Sequence, residues 1–374
     1  MSARPLRVAH LVATSGRSGV ERHLEALIPA FEPHEVAARL FVPGPGPLVE
    51  ALAARGVRCE IGAPARKLAW GQARSLGARL LGQVDVVHAH GPRVAFWART
   101  VARAAGARHV VATVHELRWA SLPPGPRRWA WTTLEAMANG DADALIVPSR
   151  AAHEALTTRH PEWTARIRVI AGSSPLLLDA PIPPRPERAP GPLRLVCVGR
   201  FHWVKGHDDL LAAVAHARSA GVALELTLIG DGPLAGPLRD RAGSLGLSDV
   251  VRWQDAAFEP ARTLPGHDLY VAASHTETFS IATLEAMACG LPVLAPSLGG
   301  FLDLVTPGVT GLLVAGRERA DWTVSFGDAI GQLAARPDAL RRMGEAAERE
   351  ARARLSPRTM ATATTALYRE VVGA

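Results

Sequence analysis

The chain has 374 residues, 48% of them hydrophobic and 21% charged, with a formal net charge of +7. That length exceeds one ordinary core and suits two domains of roughly 180 residues each. No apolar run approaches the ~18 residues that cross a bilayer, and the three cysteines, Cys59, Cys197 and Cys289, indicate neither a disulfide framework nor a metal site.

Charge is divided unevenly. Residues 1–180 carry 22 Lys and Arg against 14 Asp and Glu, whereas residues 181–374 carry 20 against 21. A basic half could face an anionic lipid, an acidic substrate or nucleic acid. Nearly all of its cations are arginine, since Lys67 and Lys205 are the only lysines in the chain. The amino terminus, MSARPLRVAHLVAT, passes from a short basic tail into a strand-like run without the apolar stretch of a secretory signal. This reads as a cytoplasmic protein, at most peripheral on the inner membrane face.

Taken in chain order, short apolar runs alternate with helix-length stretches. Residues 6–14, 36–42, 84–90, 109–115 and 143–149 read as buried strands, and segments such as VERHLEALIPAF (20–31) and RVAFWARTVARAAG (93–106) have helical spacing. Residues 174–192 break the rhythm with seven prolines in nineteen positions; proline lacks the backbone donor and fixes φ, so this stretch suits neither helix nor central strand. The alternation restarts with strands over 193–199, 224–230, 249–254, 268–274, 291–297 and 310–314, and ends on a helical stretch at 356–372. The expected organisation is a Rossmann-like domain over 1–175, a proline-rich linker over 176–192 and a second Rossmann-like domain over 193–355. The final stretch, 356–374, would pack back on the first domain. The fold class is α/β, with two parallel sheets facing an interdomain cleft.

In open parallel sheets the ligand crevice lies beyond the carboxyl ends of the strands, so polar residues just after strands carry the argument. After the first strand, TSGRSGVERHLEAL offers Gly16 and Gly19 and a helix amino terminus to a phosphate or acceptor oxygen; a plain tight turn is the competing reading. His115 ends a strand, as His88 and His90 end the one before, and such a histidine can hydrogen-bond a sugar hydroxyl or cap the strand. Metal binding by these three would need a carboxylate placed by the fold.

The second half is more specific. In GRFHWVKGHDDLL (199–211), Gly199 frees the turn while Arg200 and Lys205 bring a guanidinium fork and a point charge to a helix amino terminus, a set suited to a diphosphate. In HTETFSIATLEAMACGLPVLAPSLGG (275–300), Glu277 follows a strand, Thr278, Phe279 and Ser280 lead into a helix, and Glu285 lies about two turns along it. Two such carboxylates suit vicinal hydroxyls of a sugar and of a ribose. Gly299 and Gly300 end the next strand and could offer backbone amides to the same ligand.

These residues resemble the retaining, GT-B-fold glycosyltransferases of family 4. The likeness rests on G-R-x-x-x-x-K-G at 199–206, E-x7-E at 277–285, the EAMACGLPV that follows Thr283 and GDGPL at 230–234. It extends more loosely to SGVERHL, HAHG and TVHE in the first half. The resemblance implies transfer of a hexose-type sugar from a UDP- or GDP-sugar to an acceptor hydroxyl. Arg200 and Lys205 would bind the diphosphate, Glu285 the ribose and Glu277 the sugar, with His115 and the Gly19 loop near the reacting carbon. WQDAA at 253–257 and Asp303 depart from the family pattern.

Fixed cations stabilise a leaving diphosphate without a metal, so neither a metal nor a cofactor is expected. A nucleotide-sugar epimerase, a phosphorylase or a nicotinamide-dependent oxidoreductase would share the alternation. The last would need an acidic ribose ligand that the first ~60 residues lack. The expected partners are a nucleotide-sugar donor and a lipid-linked or small-molecule acceptor, with no nucleic acid. Seven arginines interleaved with Trp97, Trp119, Trp129 and Trp131 within residues 93–131 suit the headgroup layer of an anionic membrane, or simply a core of tryptophans under solvated arginines.

Overall fold

Buried apolar runs separated by amphipathic stretches are satisfied by parallel strands with helices on both faces. The computed structural model describes residues 4–65, 69–122, 125–178, 182, 191–255 and 258–373. It contains two parallel sheets in two compact units, one of residues 1–178 with 355–374 and one of residues 179–354.

The first unit carries seven strands: β1 (Leu6–Val12), β2 (Val36–Val42), β3 (Cys59–Ile61), β4 (Val86–His90), β5 (His109–Thr113), β6 (Ala144–Val147) and β7 (Ile167–Val169). Their order is β3-β2-β1-β4-β5-β6-β7, so the winding reverses between β1 and β4. Successive side chains of a strand point to opposite faces. Ala9, Leu11, Val87, Ala89, Val110 and Ala112 therefore share one apolar layer with Val94, Ala98 and Val101 of the helix Pro92–Ala105. Val8, Val12, Val86, Val111 and Ile146 pack on the other face with the helix Gly19–Leu27 and the returning helix Pro357–Val372, which contributes Met360, Leu367 and Tyr368. The same alternation sends His10, His88, His90 and Thr113 to this second face, and the register pairs His10 with His88 and His90 with Thr113.

The returning helix is anchored as well as packed. Ser356 caps it by accepting from Thr359 N at 3.2 Å, Arg369 pairs with Glu35 at 2.7 Å, and Ser173 Oγ donates to Leu355 O at 2.6 Å.

The second unit holds β8 (Leu193–Val198), β9 (Leu224–Ile229), β10 (Val251–Gln254), β11 (Leu269–Val271), β12 (Val293–Pro296) and β13 (Gly311–Val314), in the order β10-β9-β8-β11-β12-β13. Its winding reverses between β8 and β11. Leu195, Leu226, Leu228 and Val271 form its core with Leu210 and Val214 of the helix His207–Ser219 and Phe326 and Ile330 of the helix Trp322–Ala334. Fully buried Asp268, just before β11, pairs with Arg194 of β8 at 3.0 Å and pins these two strands side by side.

Each strand expected from the sequence is present, the one at 36–42 with the expected bounds and the others trimmed by one to a few residues at their ends. The structure adds β3 and β7, three-residue strands at the two edges of the first sheet. The anticipated linker is represented by 176–178, 182 and 191–192, the rest lying outside the described residues together with Lys67, Ala256 and Ala257. Among the described residues, no helix is long and apolar enough to cross a membrane.

Candidate functional site

In the second unit the winding reversal gathers two loops, one after β8 and one after β11. The first runs through Gly199 and exposed Arg200 into a short 3₁₀ turn, Trp203–Lys205, before the helix His207–Ser219 begins. Gly206 between them has φ +63°, and a Cβ there would stand 1.9 Å from Ala273 O. Only glycine permits that approach, and it seats the turn against the loop after β11, where His275 N donates to Val204 O at 2.7 Å.

The consequence is a direct meeting of two residues 72 positions apart. Lys205 Nζ lies 2.6 Å from Glu277 Oε2, and Ser274 Oγ donates to the same oxygen at 3.4 Å. Glu277 is held from behind as well. Gly300 N donates to Glu277 O at 2.8 Å, and Gly299, at φ +52°, approaches so closely that a Cβ would lie 2.1 Å from that oxygen. The double glycine thus braces the Glu277 loop through its own backbone. Ser280 Oγ accepts from Thr283 N at 3.2 Å and caps the helix Ile281–Ala288, on which Glu285 is buried. GDGPL packs beneath the first loop, with Phe201 N donating to Asp231 O at 2.9 Å and no room for a side chain on Gly230 or Gly232.

A small cavity of about 10 Å³, room for about one water, adjoins the pair and is lined by Cys197, Lys205, His207, Tyr270, Ser274 and Glu277 among others. Burial, with the Lys205 ammonium nearby, pushes the His207 imidazole down to about 4. Burial pushes the Cys197 thiol up to about 12, so Cys197 is a small hydrophobe here. Arg317, Asp209 and His275 were not singled out from the sequence. Arg317 Nη2 contacts Asp209 Oδ2 at 2.5 Å, Ala273 O at 3.2 Å and His275 Nε2 at 3.2 Å, tying the loop after β11 to the helix His207–Ser219.

In the first unit, the loop after β1 leads to the helix Gly19–Leu27, and Leu48 N ties it to the start of the helix Pro47–Ala53 by donating to Ser15 O at 3.1 Å. Burial would raise the Glu21 carboxyl, but hydrogen bonds from Ser18 and Thr14 outweigh it and hold the group below its usual range. Beside this loop five histidines cluster at the second face of the sheet, His10, His88 and His90 from its strands, His115 from just beyond β5 and His23 from the helix Gly19–Leu27. His10 Nδ1 lies 3.0 Å from His90 Nε2, His90 Nδ1 lies 3.3 Å from His115 Nε2, and the His23 ring meets His115 edge-on at 4.8 Å between centroids. His88 contacts Tyr368 OH through Nδ1 at 2.6 Å and Thr113 Oγ1 through Nε2 at 2.8 Å. Burial pushes all five imidazoles down, His10 to about 3 and His23 to about 4, so each is neutral at pH 7. Among the described residues, the groups able to hold a metal ion are His10 with His88 and His90, and His23 with His90 and His115; neither includes a carboxylate.

The structure therefore brings Lys205 and Glu277 together in the second unit, with Gly199, Gly299 and Gly300 shaping the loops and Thr278, Phe279 and Ser280 leading into the helix of Glu285. His115 and Gly19 belong to the first unit. His10 and His23 were not singled out from the sequence, although His23 lies within SGVERHL. The tryptophans divide: Trp97 and Trp119 are buried, while Trp129 is 70% exposed on the helix Pro126–Asn139.

Family models match both units, Glycosyltransferase Family 4 over residues 17–172 and Glycosyl transferases group 1 over residues 192–336. A crystal structure of Anabaena HepE in complex with UDP and glucose aligns with a TM-score of 0.78, covering 97% of this chain and 99% of that one at 17% identity. The chain belongs to the GT-B glycosyltransferases. Among curated relatives, a D-inositol 3-phosphate glycosyltransferase of Actinosynnema mirum is 32% identical over 278 residues, 68% of this chain and 65% of the relative. Its Nocardia farcinica counterpart is 38% identical over 167 residues, 42% of this chain and 36% of the relative. The chain thus spans less than two thirds of the length of these curated relatives.

Proposed function

We propose that the chain transfers a hexose-type sugar, with retention and without a metal ion, from a UDP- or GDP-sugar to an acceptor hydroxyl. The observation that carries this reading is the Lys205–Glu277 contact at the winding reversal of the second sheet. Breaking an anomeric bond to a diphosphate builds negative charge on the leaving group and oxocarbenium character on the sugar. An ammonium already fixed by a carboxylate stabilises that charge without reorganising when it forms. Glu277 keeps an oxygen beyond Lys205 for the sugar hydroxyls, Arg200 adds a fork at the same strand end, Glu285 holds the ribose, and His115 meets a sugar hydroxyl.

The UDP in the HepE structure favours a UDP-sugar donor. Inositol phosphates, suggested by the names of the curated relatives, join lipid-linked sugars and natural-product aglycones as acceptors to test. The route served would be cell-envelope glycan, glycolipid or natural-product synthesis in the cytoplasm.

The test is a panel of nucleotide sugars, each incubated with and without acceptors and read by mass spectrometry, with the anomeric configuration of any product fixed by NMR. Release of a nucleoside diphosphate with a retained-configuration product is expected. An inverted product, or oxidation or epimerisation of the donor without transfer, would reject the reading.

A further inference from the structure

We infer that a hydrogen-bonded chain from Tyr368 through His10 and His90 fixes the tautomer of His115, leaving its Nδ1 as a hydrogen-bond acceptor and making Tyr368, His10 and His90 positioning residues. The inference rests on the proposed reading of His115 as the group that meets a sugar hydroxyl.

The argument counts protons. A neutral imidazole carries one N–H and one lone pair, and a phenol has a single proton to give. Tyr368 OH has two neighbours, His88 Nδ1 at 2.6 Å and His10 Nε2 at 3.5 Å. The short contact has the length of an O–H donation, whereas N–H donors settle nearer ~2.9 Å. Tyr368 therefore donates to His88 Nδ1, and His88 Nε2–H donates to Thr113 Oγ1 at 2.8 Å.

With its proton spent, Tyr368 offers His10 only a lone pair, so His10 carries its proton on Nε2. Its bare Nδ1 then accepts from His90 Nε2–H across 3.0 Å. That leaves His90 Nδ1 bare, to accept from His115 Nε2–H across 3.3 Å. The lone pair of His115 is thereby assigned to Nδ1, the nitrogen outside the chain. Running the protons in reverse would place the phenol proton on the 3.5 Å contact.

No charged group interrupts this order among the described contacts. Glu21, in the first turn of the adjoining helix, is engaged by Ser18 and Thr14, and Glu116, next to His115 in sequence, pairs with Arg118 at 3.4 Å. His23 stacks its edge on His115 and flanks the chain without being a link in it. Burial holds each imidazole of the chain neutral, which is the condition for one donor and one acceptor per ring.

The direct test is long-range ¹H–¹⁵N NMR of the full chain labelled with ¹⁵N-histidine, with peaks assigned by single His→Asn variants. In the wild type, His10, His88, His90 and His115 should all show the Nε2–H tautomer. Tyr368→Phe removes the acceptor for His10 Nε2–H, and Thr113→Val removes that for His88 Nε2–H. Each should move His90 and His115 toward Nδ1–H, with kcat for transfer lowered about tenfold, the worth of one neutral hydrogen bond, and donor KM within about twofold. Unchanged His115 tautomers in both folded variants, or Nδ1–H at His115 in the wild type, would overturn the inference. The spectra need no turnover, so a failed donor screen and a failed chain are told apart.

Discussion

Replacing Lys205 by alanine takes away the ammonium 2.6 Å from Glu277, a carboxylate that is only 10% exposed in the intact pair. Ser274 Oγ, at 3.4 Å, replaces little of what is lost. Two unit charges about 4 Å apart attract by about 4 kcal/mol at an effective dielectric of about 20. Desolvation offsets much of this, and Lys205 is itself 31% exposed, so the net loss of stability comes to about 1–3 kcal/mol. Turnover should suffer more, because a fixed donor aimed at developing charge is worth roughly 10²- to 10³-fold. The two effects separate in the double variant Lys205→Met with Glu277→Gln, which keeps the shapes and removes both charges. Its melting temperature should return to within a few degrees of wild type while turnover stays down by roughly 10²-fold or more. The assay is nucleoside diphosphate release at saturating donor, beside thermal melting. Near-normal turnover in Lys205→Ala, or turnover that recovers with stability in the double variant, would refute the leaving-group role.

Glu285→Gln should weaken binding of the free nucleotide, while Glu277→Gln impairs transfer and leaves that binding largely intact. Calorimetry showing equal nucleotide affinity for Glu285→Gln and wild type would remove the ribose role. Transfer should persist in a strong chelator, and a loss restored by magnesium or manganese would reject metal independence. The buried histidines make the first unit acid-sensitive. Unfolded histidines protonate near pH ~6.5, whereas folded His10 and His23 resist until about 3 and about 4. Stability is thus full above pH ~6.5 and should fall below it by up to ~1.4 kcal/mol per pH unit per histidine. Melting curves that do not shift between pH 7.5 and 5 would contradict this. Finally, Trp129, Leu134 and Met137 lie exposed on the helix Pro126–Asn139 beside exposed Arg127, an apolar face with basic flanks. Wild type should co-sediment with anionic but not neutral vesicles, less so at high salt or with Trp129→Ala; equal recovery with both vesicle types would exclude the electrostatic part.

Much of the fold was legible because parallel strands buried on both faces are continuous apolar runs. VAARLFV and LRLVCV announce themselves. CEI and IRV do not, since three-residue edge strands mix charge with apolar residues and take their partners from the sheet. The site was legible where glycine and charge share a short motif, as at 199–206 and 277–285. That Lys205 and Glu277 meet each other was not, because the approach depends on Gly206 against Ala273. Three of the five clustered histidines, His88, His90 and His115, were legible as strand ends, and HAH at 88–90 must put two imidazoles on one face. His10 joins them through the β1–β4 register, which no spacing within a single strand encodes.

The return of Pro357–Val372 to the first unit has a consequence for synthesis. Tyr368, Met360 and Leu367 leave the ribosome after the whole second unit, yet they complete a face whose strands were made first. The second unit is an uninterrupted insertion, 179–354, and has all its parts before that helix is translated. During translation the first unit waits with the face of Val8, Val12 and Val86 covered by the helix Gly19–Leu27 and the seat of Met360, Leu367 and Tyr368 open, for the whole time the second takes to emerge. A stop codon placed before residue 357 should therefore leave the later-made unit folded and the earlier-made one exposed to chaperones and proteases.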